Sequence, residues 1–201
     1  MKIIVAITGA SGIIYAKRLL ELLVQQKQIE IVLTLSKNSI LTIEDELNLK
    51  VDLKNFKPED LLGKEGKSIS YFHYEDLSPD FISGSNYFDA FVIIPCSMGT
   101  LSRIAAGLSD NLIGRTADVA LKEQRKFILV PRETPLNYIH LRNMLELVQA
   151  GAVILPACPG FYHHPKTIND LVDFLVSRVL DHLGIKTNVV IKWKNPQNNT
   201  E

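Results

Sequence analysis

Short, nearly continuous apolar runs alternate with longer amphipathic stretches along this chain of 201 residues. Such runs are typical of strands that are buried on both faces, as in a parallel sheet covered by helices. The predicted strands are Ile3–Thr8, Glu30–Leu35, Ala90–Ile94, Phe127–Val130 and Ala152–Leu155.

Apolar residues recur at helical spacing in three of the intervening or following stretches. The predicted helices are Ile13–Gln26, Leu136–Ala150 and Ile168–Leu183, and Gly151 and Gly184 follow the last two as C-caps. Strands that alternate with helices in this way predict an α/β fold. We expect a three-layer sandwich, in which a Rossmann-like, mostly parallel sheet has helices on both faces.

Two segments depart from this alternation. Residues 48–87 are polar and irregular, with one short strand expected at Ile69–Phe72, and we interpret them as an insertion into a single domain that spans residues 1–201. The tail, residues 185–201, is apolar around Trp193 and then turns polar. We predict that it packs on a neighbouring subunit; docking on its own domain is the alternative.

The composition limits the class of protein. Hydrophobic residues make up 46% of the chain, enough for a sizeable core, and 22 Lys and Arg balance 22 Asp and Glu. A net charge of zero argues against a surface that binds nucleic acid or an anionic membrane. Cys96 and Cys158 fit no metal or disulfide spacing. No apolar run reaches the roughly 18 residues of a membrane span and no signal peptide is recognised, so we expect a cytoplasmic protein.

Ligands of open α/β sheets bind at the carboxyl ends of the strands, where this sequence places its most distinctive residues. The first strand is followed by the turn Thr8–Gly12, directly before a helix. Glycine lets the backbone approach an anion, while the N–H groups of the helix start and the Ser11 hydroxyl can donate to it. The glycines do not form a dinucleotide fingerprint, so the phosphate of a mononucleotide or flavin is favoured over NAD. Tight packing of the turn is the alternative.

A second small, hydroxyl-rich turn, Pro95–Leu101, follows the strand Ala90–Ile94. Ser97 and Thr100 are either ordinary helix N-caps or donors of an anion site shared with the first turn, and the sequence leaves both possibilities open. Cys96 lies in an apolar context, and we interpret it as an inert core thiol.

The last two strand ends carry charged and aromatic residues. Arg132 and Glu133 precede a proline that we expect to open a helix, and they form either a structural ion pair or a charge-handling site. Tyr162 is a candidate for a phosphate contact through its phenol. The adjacent His163 and His164 are interpreted as loop histidines and not as metal ligands.

Arg178 stands among apolar residues of the last predicted helix, in the stretch Ser177–Leu180. We therefore expect it on a buried face. A buried arginine requires an anion, which makes Arg178 a further candidate for phosphate binding.

Taken together, these motifs resemble the UbiX family of flavin prenyltransferases over nearly the whole chain. The resemblance is carried by Thr8–Gly12, Ser36-Lys37, Pro95–Leu101, Ala117–Glu123, Pro131–Leu136, Pro159–His163 and Trp193. It implies an enzyme that joins the dimethylallyl group of dimethylallyl monophosphate to N5 and C6 of reduced FMN. The product, prenylated FMN, is the cofactor of UbiD-type decarboxylases. The resemblance also implies a homododecamer with active sites between subunits.

The resemblance further assigns roles to individual residues. It assigns FMN binding to nine residues: Gly9, Ala10, Ser11, Ser36, Ser97, Met98, Gly99, Thr100 and Arg132. It assigns binding of the prenyl donor's phosphate to Lys122, Tyr162 and Arg178, with Arg132 close by. It assigns proton handling to Glu133 and Ser11. It also places Glu46 near the site and has Trp193 close the prenyl pocket. We expect Lys122, Arg132 and Arg178 to converge at one charged pocket.

This residue set suits the implied chemistry. Fixed cations stabilise a phosphate as it leaves, and a dry aromatic lining protects an allylic cation from water, so no metal is expected. The sequence also lacks the carboxylate cluster of a magnesium-dependent diphosphate site. Two alternatives remain: an FMN-dependent decarboxylase of the related flavoprotein class, and a non-catalytic FMN carrier. Those decarboxylases carry a Pro-Ala-Ser-Ala-Asn-Thr turn where this chain has Pro95–Thr100, and a carrier needs no second cationic cluster.

Overall fold

Six parallel strands form one sheet in the computed structural model, which describes residues 1–187 of the chain. In chain order they are β1 (Lys2–Ile7), β2 (Glu30–Leu35), β3 (Ile69–Tyr71), β4 (Ala90–Cys96), β5 (Lys126–Pro131) and β6 (Val153–Ile154). Their order across the sheet is β3-β2-β1-β4-β5-β6, with every neighbouring pair parallel. The strand order reverses between β1 and β4, and such a switch point is where open α/β sheets bind their ligands.

Seven α-helices connect or follow the strands within the described residues. They are α1 (Ile13–Val24), α2 (Ser39–Leu47), α3 (Pro58–Leu62), α4 (Met98–Ala105), α5 (Leu112–Lys122), α6 (Tyr138–Gln149) and α7 (Ile168–Leu183). Two short 3-10 helices, Gly63–Ser68 and Asp80–Ile82, flank β3. The chain divides into two compact units, Met1–Ala157 and Cys158–Glu201, so the sheet and α1–α6 belong to the first unit and α7 to the second.

Both faces of the sheet carry buried side chains. Side chains alternate between the two faces of a strand, and on one face Ile4, Phe91 and Phe127 join a core with residues of α4, α5 and α6. Ile3 and Val5 point to the opposite face and are fully buried there, and α1 contacts the sheet through β4. The prediction of a three-layer α/β fold with a parallel sheet is confirmed.

The second unit is built on α7, and this helix is capped at both ends. Thr167 Oγ1 accepts a hydrogen bond from Asp170 N at 3.2 Å, and the Asp170 carboxylate accepts one from Thr167 N at 2.9 Å, which completes a capping box. Gly184 ends the helix at φ 78°, in the left-handed region that glycine adopts most readily. Among residues 1–187, no helix combines the length and the apolar character that crossing a membrane requires.

Helix α6 begins later than the sequence suggests. The predicted start at Leu136, directly after Pro135, is wrong because Asn137 caps the helix. Its side-chain oxygen accepts a hydrogen bond from His140 N at 2.9 Å, and the first helical residue is Tyr138. The other two predicted helices begin where the sequence places them, at Ile13 and Ile168.

The segment 48–87 contains more regular structure than its composition suggests. It holds α3, both 3-10 helices and β3, and β3 confirms the expected short strand and pairs with β2 at the edge of the sheet. Its interpretation as an insertion, and that of the chain as one domain, stay predictions. The tail beyond residue 187, with Trp193, lies outside the described residues.

Candidate active site

Hydrogen bonds tie three strand ends together at the carboxyl edge of the sheet. The Thr8 hydroxyl donates to Pro95 O at 2.8 Å and accepts from Ser97 N at 2.8 Å, so the turn after β1 is fixed to the turn after β4. Ser36 N donates to Ile7 O at 2.9 Å, which holds the turn after β2 beside them. Three of the motifs that stand out in the sequence therefore meet at one place.

A cavity of about 340 Å³ opens at this edge, a size within the range of small-molecule sites. Its lining includes five residues that the family resemblance assigns to FMN: Gly9, Ser36, Ser97, Gly99 and Thr100. The other four, Ala10, Ser11, Met98 and Arg132, are outside the lining of this chain's own cavity. Of these, Ala10 and Met98 are buried. A role for all nine in FMN binding stays a prediction.

Much of the cavity wall could not be found from the sequence. The additional lining residues are Lys37, Asn38, Tyr74, Arg103, Ile104, Leu108, Asn111, Ile113 and Gly114. Lys37 and Arg103 bring positive charge to the wall, and Arg103 is held there by an ion pair with Asp110. The aliphatic members of the set form an apolar stretch beside these cations.

Tyr74 reaches the cavity from the segment 48–87. Its backbone oxygen accepts a hydrogen bond from Leu112 N at 2.7 Å, which fixes the segment to the start of α5. Asn111, the N-cap of α5, lines the cavity as well. A polar composition marks the segment in the sequence, but composition does not indicate which of its residues faces a site.

The donors and the apolar residues that line this cavity suit FMN. Its hydroxyl groups and two cations suit a phosphate and a polyol, and its aliphatic wall suits a flat ring system. Ser36 Oγ is buried and has no hydrogen-bond partner among residues 1–187. Because buried polar atoms in proteins are almost always paired, this hydroxyl is suited to a ligand oxygen.

Ser97 combines a structural role with its place in the cavity wall. Its Oγ accepts a hydrogen bond from Thr100 N at 3.2 Å and donates one to Thr100 Oγ1 at 3.0 Å. The N-cap interpretation is therefore confirmed for Ser97. Because both hydroxyls also line the cavity, the cap and the anion site do not exclude one another.

The start of α1 is occupied by a side chain of the protein itself. Glu46 Oε1 accepts a hydrogen bond from Gly12 N at 2.9 Å, and Glu46 Oε2 accepts one from Ile13 N at 2.8 Å. In this structure the Glu46 carboxylate therefore satisfies Gly12 N and Ile13 N, and anion binding by this turn stays a prediction. Glu46, and not the adjacent Glu44 or Asp45, is the acidic residue that reaches the turn carrying Ser11.

Gly9 is required by the packing of two turns. A Cβ at this position would come within 2.6 Å of Asn38 Cβ and 2.9 Å of Asn38 O, so only glycine allows the turn after β1 to approach the start of α2. The alternative of tight packing therefore holds for Gly9, which lines the cavity as well.

Arg132 and Glu133 follow β5 at the same edge of the sheet, where Arg132 N donates to Cys96 O at 3.3 Å. Glu133 is exposed, and its Oε1 accepts a hydrogen bond from Thr134 N at 3.1 Å instead of pairing with the arginine. Arg132 Nε is buried and lacks a partner among residues 1–187. The two residues therefore do not form the structural ion pair, and a charge-handling site stays the prediction for them.

Lys122 lies away from the cavity of its own chain. It ends α5, whose first turn reaches the cavity at Gly114, and the helix between these residues spans about 12 Å. At its own end, Lys122 Nζ lies 3.2 Å from Glu123 Oε1, and a Cβ on Gly84 would come within 2.8 Å of Nζ. Helix α5 therefore places Lys122 at the amino edge of the sheet, opposite Arg132. The expected convergence of Lys122 and Arg132 at one pocket stays a prediction.

Tyr162 and Arg178 belong to the second unit. The Arg178 side chain is 52% exposed, and its Nη1 lies 3.0 Å from Asp181 Oδ2. The expectation that Arg178 is buried is wrong, because Val179 and Leu180 lie in the buried stripe of α7 and Arg178 falls outside it. Phosphate binding by Tyr162 and Arg178 stays a prediction.

The histidines and cysteines form no reactive cluster in the described part of the chain. Across residues 1–187, no group of three or more His, Cys, Asp or Glu side chains comes together in a way that could hold a metal ion. Cys96 is buried in the core, and burial raises the pKa of its thiol, in agreement with its interpretation as an inert core thiol. Cys158 is exposed, and both cysteines are free thiols.

Comparisons with known proteins agree over nearly the full length of the chain. The Flavoprotein family matches residues 1–180. The chain is 48% identical over 193 residues to the flavin prenyltransferase UbiX of Methanocaldococcus jannaschii, covering 96% of this chain and 98% of the relative. It is 46% identical over 196 residues to the flavin prenyltransferase UbiX of Pseudomonas aeruginosa, covering 96% and 93%.

Solved structures show the same relationship. A dodecameric FMN-dependent UbiX-like decarboxylase from Escherichia coli O157:H7 matches with a TM-score of 0.86 and 40% identity, covering 97% of this chain and 100% of that one. AnUbiX (PadA1), solved in complex with FMN and dimethylallyl pyrophosphate, matches with a TM-score of 0.85 and 38% identity, covering 96% and 97%. The peptidyl-cysteine decarboxylase EpiD, at a TM-score of 0.56 and 18% identity, shares the fold alone.

Proposed function

This chain belongs to the flavoprotein family and, within it, to the UbiX flavin prenyltransferases, and from this premise we propose its reaction at the level of atoms. It joins the dimethylallyl group of dimethylallyl monophosphate to N5 and C6 of reduced FMN and releases prenylated FMN and inorganic phosphate. The observation that carries the proposal is the cavity at the carboxyl edge, where five of the residues assigned to FMN meet.

Reduced FMN supplies the two nucleophilic ring atoms, and the chain supplies their surroundings. Hydroxyls at Ser36, Ser97 and Thr100 bind the polar part of the molecule, and Lys37 and Arg103 balance its phosphate charge. The aliphatic wall of the cavity takes the ring and keeps water from it.

The charged residues act on the prenyl donor. Arg132, whose Nε has no partner among residues 1–187, acts with Lys122, Tyr162 and Arg178 to bind the phosphate and to stabilise its charge as the allylic carbon–oxygen bond breaks. When the second bond forms, the prenyl double bond opens: one of its carbons bonds to C6 and the other takes up a proton from the released phosphate. Glu133, exposed at the same edge as Arg132, takes the proton that C6 releases, so that ring closure consumes no net proton.

We propose that the complete site forms between copies of this chain. Lys122 lies at the amino edge of the sheet and serves the cavity of a neighbouring copy, and the similar Escherichia coli protein is described as dodecameric. The outer face of α6 supports self-association, because apolar side chains at helical spacing are exposed along it: Tyr138, Leu141, Leu145 and Val148. Trp193, beyond the described residues, closes the prenyl pocket in this proposal.

The product and the location follow from the same family relationship. Prenylated FMN is passed to a UbiD-type decarboxylase, for which it is the cofactor. We place the reaction in the cytoplasm, and the two free thiols, Cys96 and Cys158, support a reducing compartment.

Anaerobic incubation with reduced FMN and a prenyl donor tests the proposal directly. Dimethylallyl monophosphate is expected to give a flavin heavier by one prenyl group in mass spectrometry, and dimethylallyl pyrophosphate is run in parallel. Glu133→Gln is expected to bind FMN normally and to stop after the first bond, because no carboxylate takes the C6 proton. The same change at Glu65, exposed in a 3-10 helix, is the control.

Two outcomes would lead to other functions. Bound FMN without any prenylated product, from either donor, would support the FMN carrier. Carbon dioxide release from an aromatic or peptidyl acid without prenylated product would support the decarboxylase, the activity ascribed to the similar Escherichia coli protein.

A further inference from the structure

Three aromatic rings meet in the second unit, between the loop before α7 and the helix itself. The ring of His163 stacks on Phe174, with centroids 5.1 Å apart and planes 5° from parallel. The ring of Tyr162 stands edge-on to both, with its centroid 5.5 Å from that of Phe174 and 6.0 Å from that of His163. Tyr162 is therefore contacted by two rings while more than half of its own surface stays exposed.

Gly160 completes this cluster from the loop side. A Cβ at position 160 would come within 2.9 Å of Tyr162 Cε1 and 3.1 Å of Phe174 Cζ. Real Cβ atoms essentially never show a contact as short as the first, so a larger residue at position 160 forces the Tyr162 ring to move. The position of the Tyr162 ring thus depends on a glycine two residues earlier.

The loop is also fixed to the start of α7. The Asp170 carboxylate accepts hydrogen bonds from Lys166 N at 2.8 Å and from Thr167 N at 2.9 Å. These two bonds, led by the one from Lys166 N, lower the pKa of Asp170, so the carboxylate stays charged in mildly acidic solution. Phe174 follows one helical turn later and Arg178 one turn after that, so both lie on the same face of α7.

His163 contributes to the cluster through its ring. Both ring nitrogens are buried, and neither has a hydrogen-bond partner among residues 1–187. Its ring contacts Phe174 and Tyr162. His164, by contrast, is exposed and has a positive φ of 54°.

We propose that His163 and Phe174 are positioning residues, which together with Gly160 hold the phenol of Tyr162 on the Arg178 face of α7 so that both side chains bind the phosphate of the prenyl donor. The inference rests on the proposed function for the identity of this ligand. His163 and Phe174 do not touch the reacting atoms and act through Tyr162. An aromatic clamp suits this purpose because it fixes the direction of an exposed phenol before the ligand arrives.

The test compares one substitution at two adjacent histidines. His163→Asn removes a ring from the cluster, whereas His164→Asn changes an exposed residue to one that tolerates a positive φ. Dimethylallyl monophosphate is titrated into each full-length variant. His163→Asn is expected to weaken its binding about 2- to 10-fold, the usual range for losing an aromatic pair, and His164→Asn to leave it unchanged.

Two further variants separate positioning from general damage to the fold. His163→Phe keeps a ring and is expected to restore binding. Gly160→Ala leaves all three rings in the sequence but displaces Tyr162, so it is expected to weaken binding like His163→Asn. In turnover assays, the KM for the prenyl donor should rise while kcat and the affinity for FMN stay at wild-type values.

The outcomes decide the inference separately from the proposed function. Equal donor binding by the His163→Asn and His164→Asn variants, failure of His163→Phe to restore it, or a wild-type protein that does not bind the donor would each overturn the positioning role. A wild-type protein that binds the donor through this cluster but forms no prenylated FMN would overturn the proposed reaction and support the positioning role. Circular dichroism identifies any variant that fails to fold. If a His163 variant fails to fold, donor binding by the Gly160→Ala variant decides whether the positioning role holds.

Discussion

Among single residues, Gly99 gives the most direct test of the cavity. It lies in the first turn of α4 and lines the cavity, and the closest atom to a Cβ placed there is Ser97 Oγ, at 4.0 Å. A side chain therefore has room to grow at the cavity wall, next to the space that we assign to FMN. Gly99→Leu is expected to lower FMN affinity at least about 10-fold, while the free energy of unfolding stays the same or rises by up to ~1 kcal/mol because leucine is the better helix former.

Flavin fluorescence quenching measures the affinity in this prediction, and thermal unfolding of the FMN-free protein measures stability. Gly99→Ala is the matched control, since its single methyl group intrudes least and its loss of affinity should be the smaller of the two. Wild-type FMN affinity in Gly99→Leu would mean that the flavin binds elsewhere.

The residues of the site divide according to how they are specified. Ser97 and Thr100 could be predicted because each hydroxyl closely follows a buried strand, and parallel strands bring their carboxyl ends to one edge. Ser36 is assigned through the family resemblance. Tyr74 and Arg103 could not, because no periodicity in a polar segment or on a short helix indicates which side chain faces a cavity. The hydrogen bond from Leu112 N to Tyr74 O, which brings the segment to the site, has no sequence signature.

Among the elements, the start of α1 depends on α2 for its hydrogen bonds. Gly12 N and Ile13 N both donate to the Glu46 carboxylate, at the positive end of the helix. Glu46→Ala leaves these donors unsatisfied, and we expect it to lower the free energy of unfolding by about 1 kcal/mol, the usual cost of losing a helix cap. Because Ser11 lies in the turn that Glu46 holds, the variant should also lose prenylation activity while the cavity keeps its wall.

Chemical denaturation measures the stability change in this prediction. Glu44→Ala is the control, because Glu44 is an exposed glutamate of the same helix and exposed substitutions of this kind usually shift stability by less than about 0.5 kcal/mol. Equal stability of the two alanine variants would show that the carboxylate of Glu46 does not hold α1 in solution.

The elements themselves differ in how far the sequence determines them. Buried parallel strands such as β1, β2 and β5 could be predicted because two covered faces require continuous apolar runs. The start of α6 could not be assigned correctly, because Pro135 and Asn137 both resemble helix starts and the side-chain bond of Asn137 decides between them. The contact between Glu46 and Gly12 could not be predicted either, because the two residues are 34 positions apart in the chain.

For the whole molecule, the sequence predicts a charged pocket but not how its charges are distributed between copies. Lys122 and Arg132 are close in sequence, yet α5 and β5 run in opposite directions and carry them to opposite edges of the sheet. We therefore expect their cooperation in one site to involve two chains. This distribution depends on topology and assembly, and no local motif encodes either.

Mixed assemblies test this shared site. Chains with Lys122→Ala and chains with Arg132→Ala are each expected to be inactive alone, but co-expressed in equal amounts they should recover prenylated FMN formation in about one site in four, the fraction that receives both native residues by random mixing. Tandem purification on two tags isolates the mixed assemblies, and mass spectrometry counts the product. Lys126→Ala, an exposed lysine at the same edge, should stay active alone. Mixed assemblies as inactive as either parent would place Lys122 and Arg132 in the site of one chain and contradict the arrangement that α5 imposes.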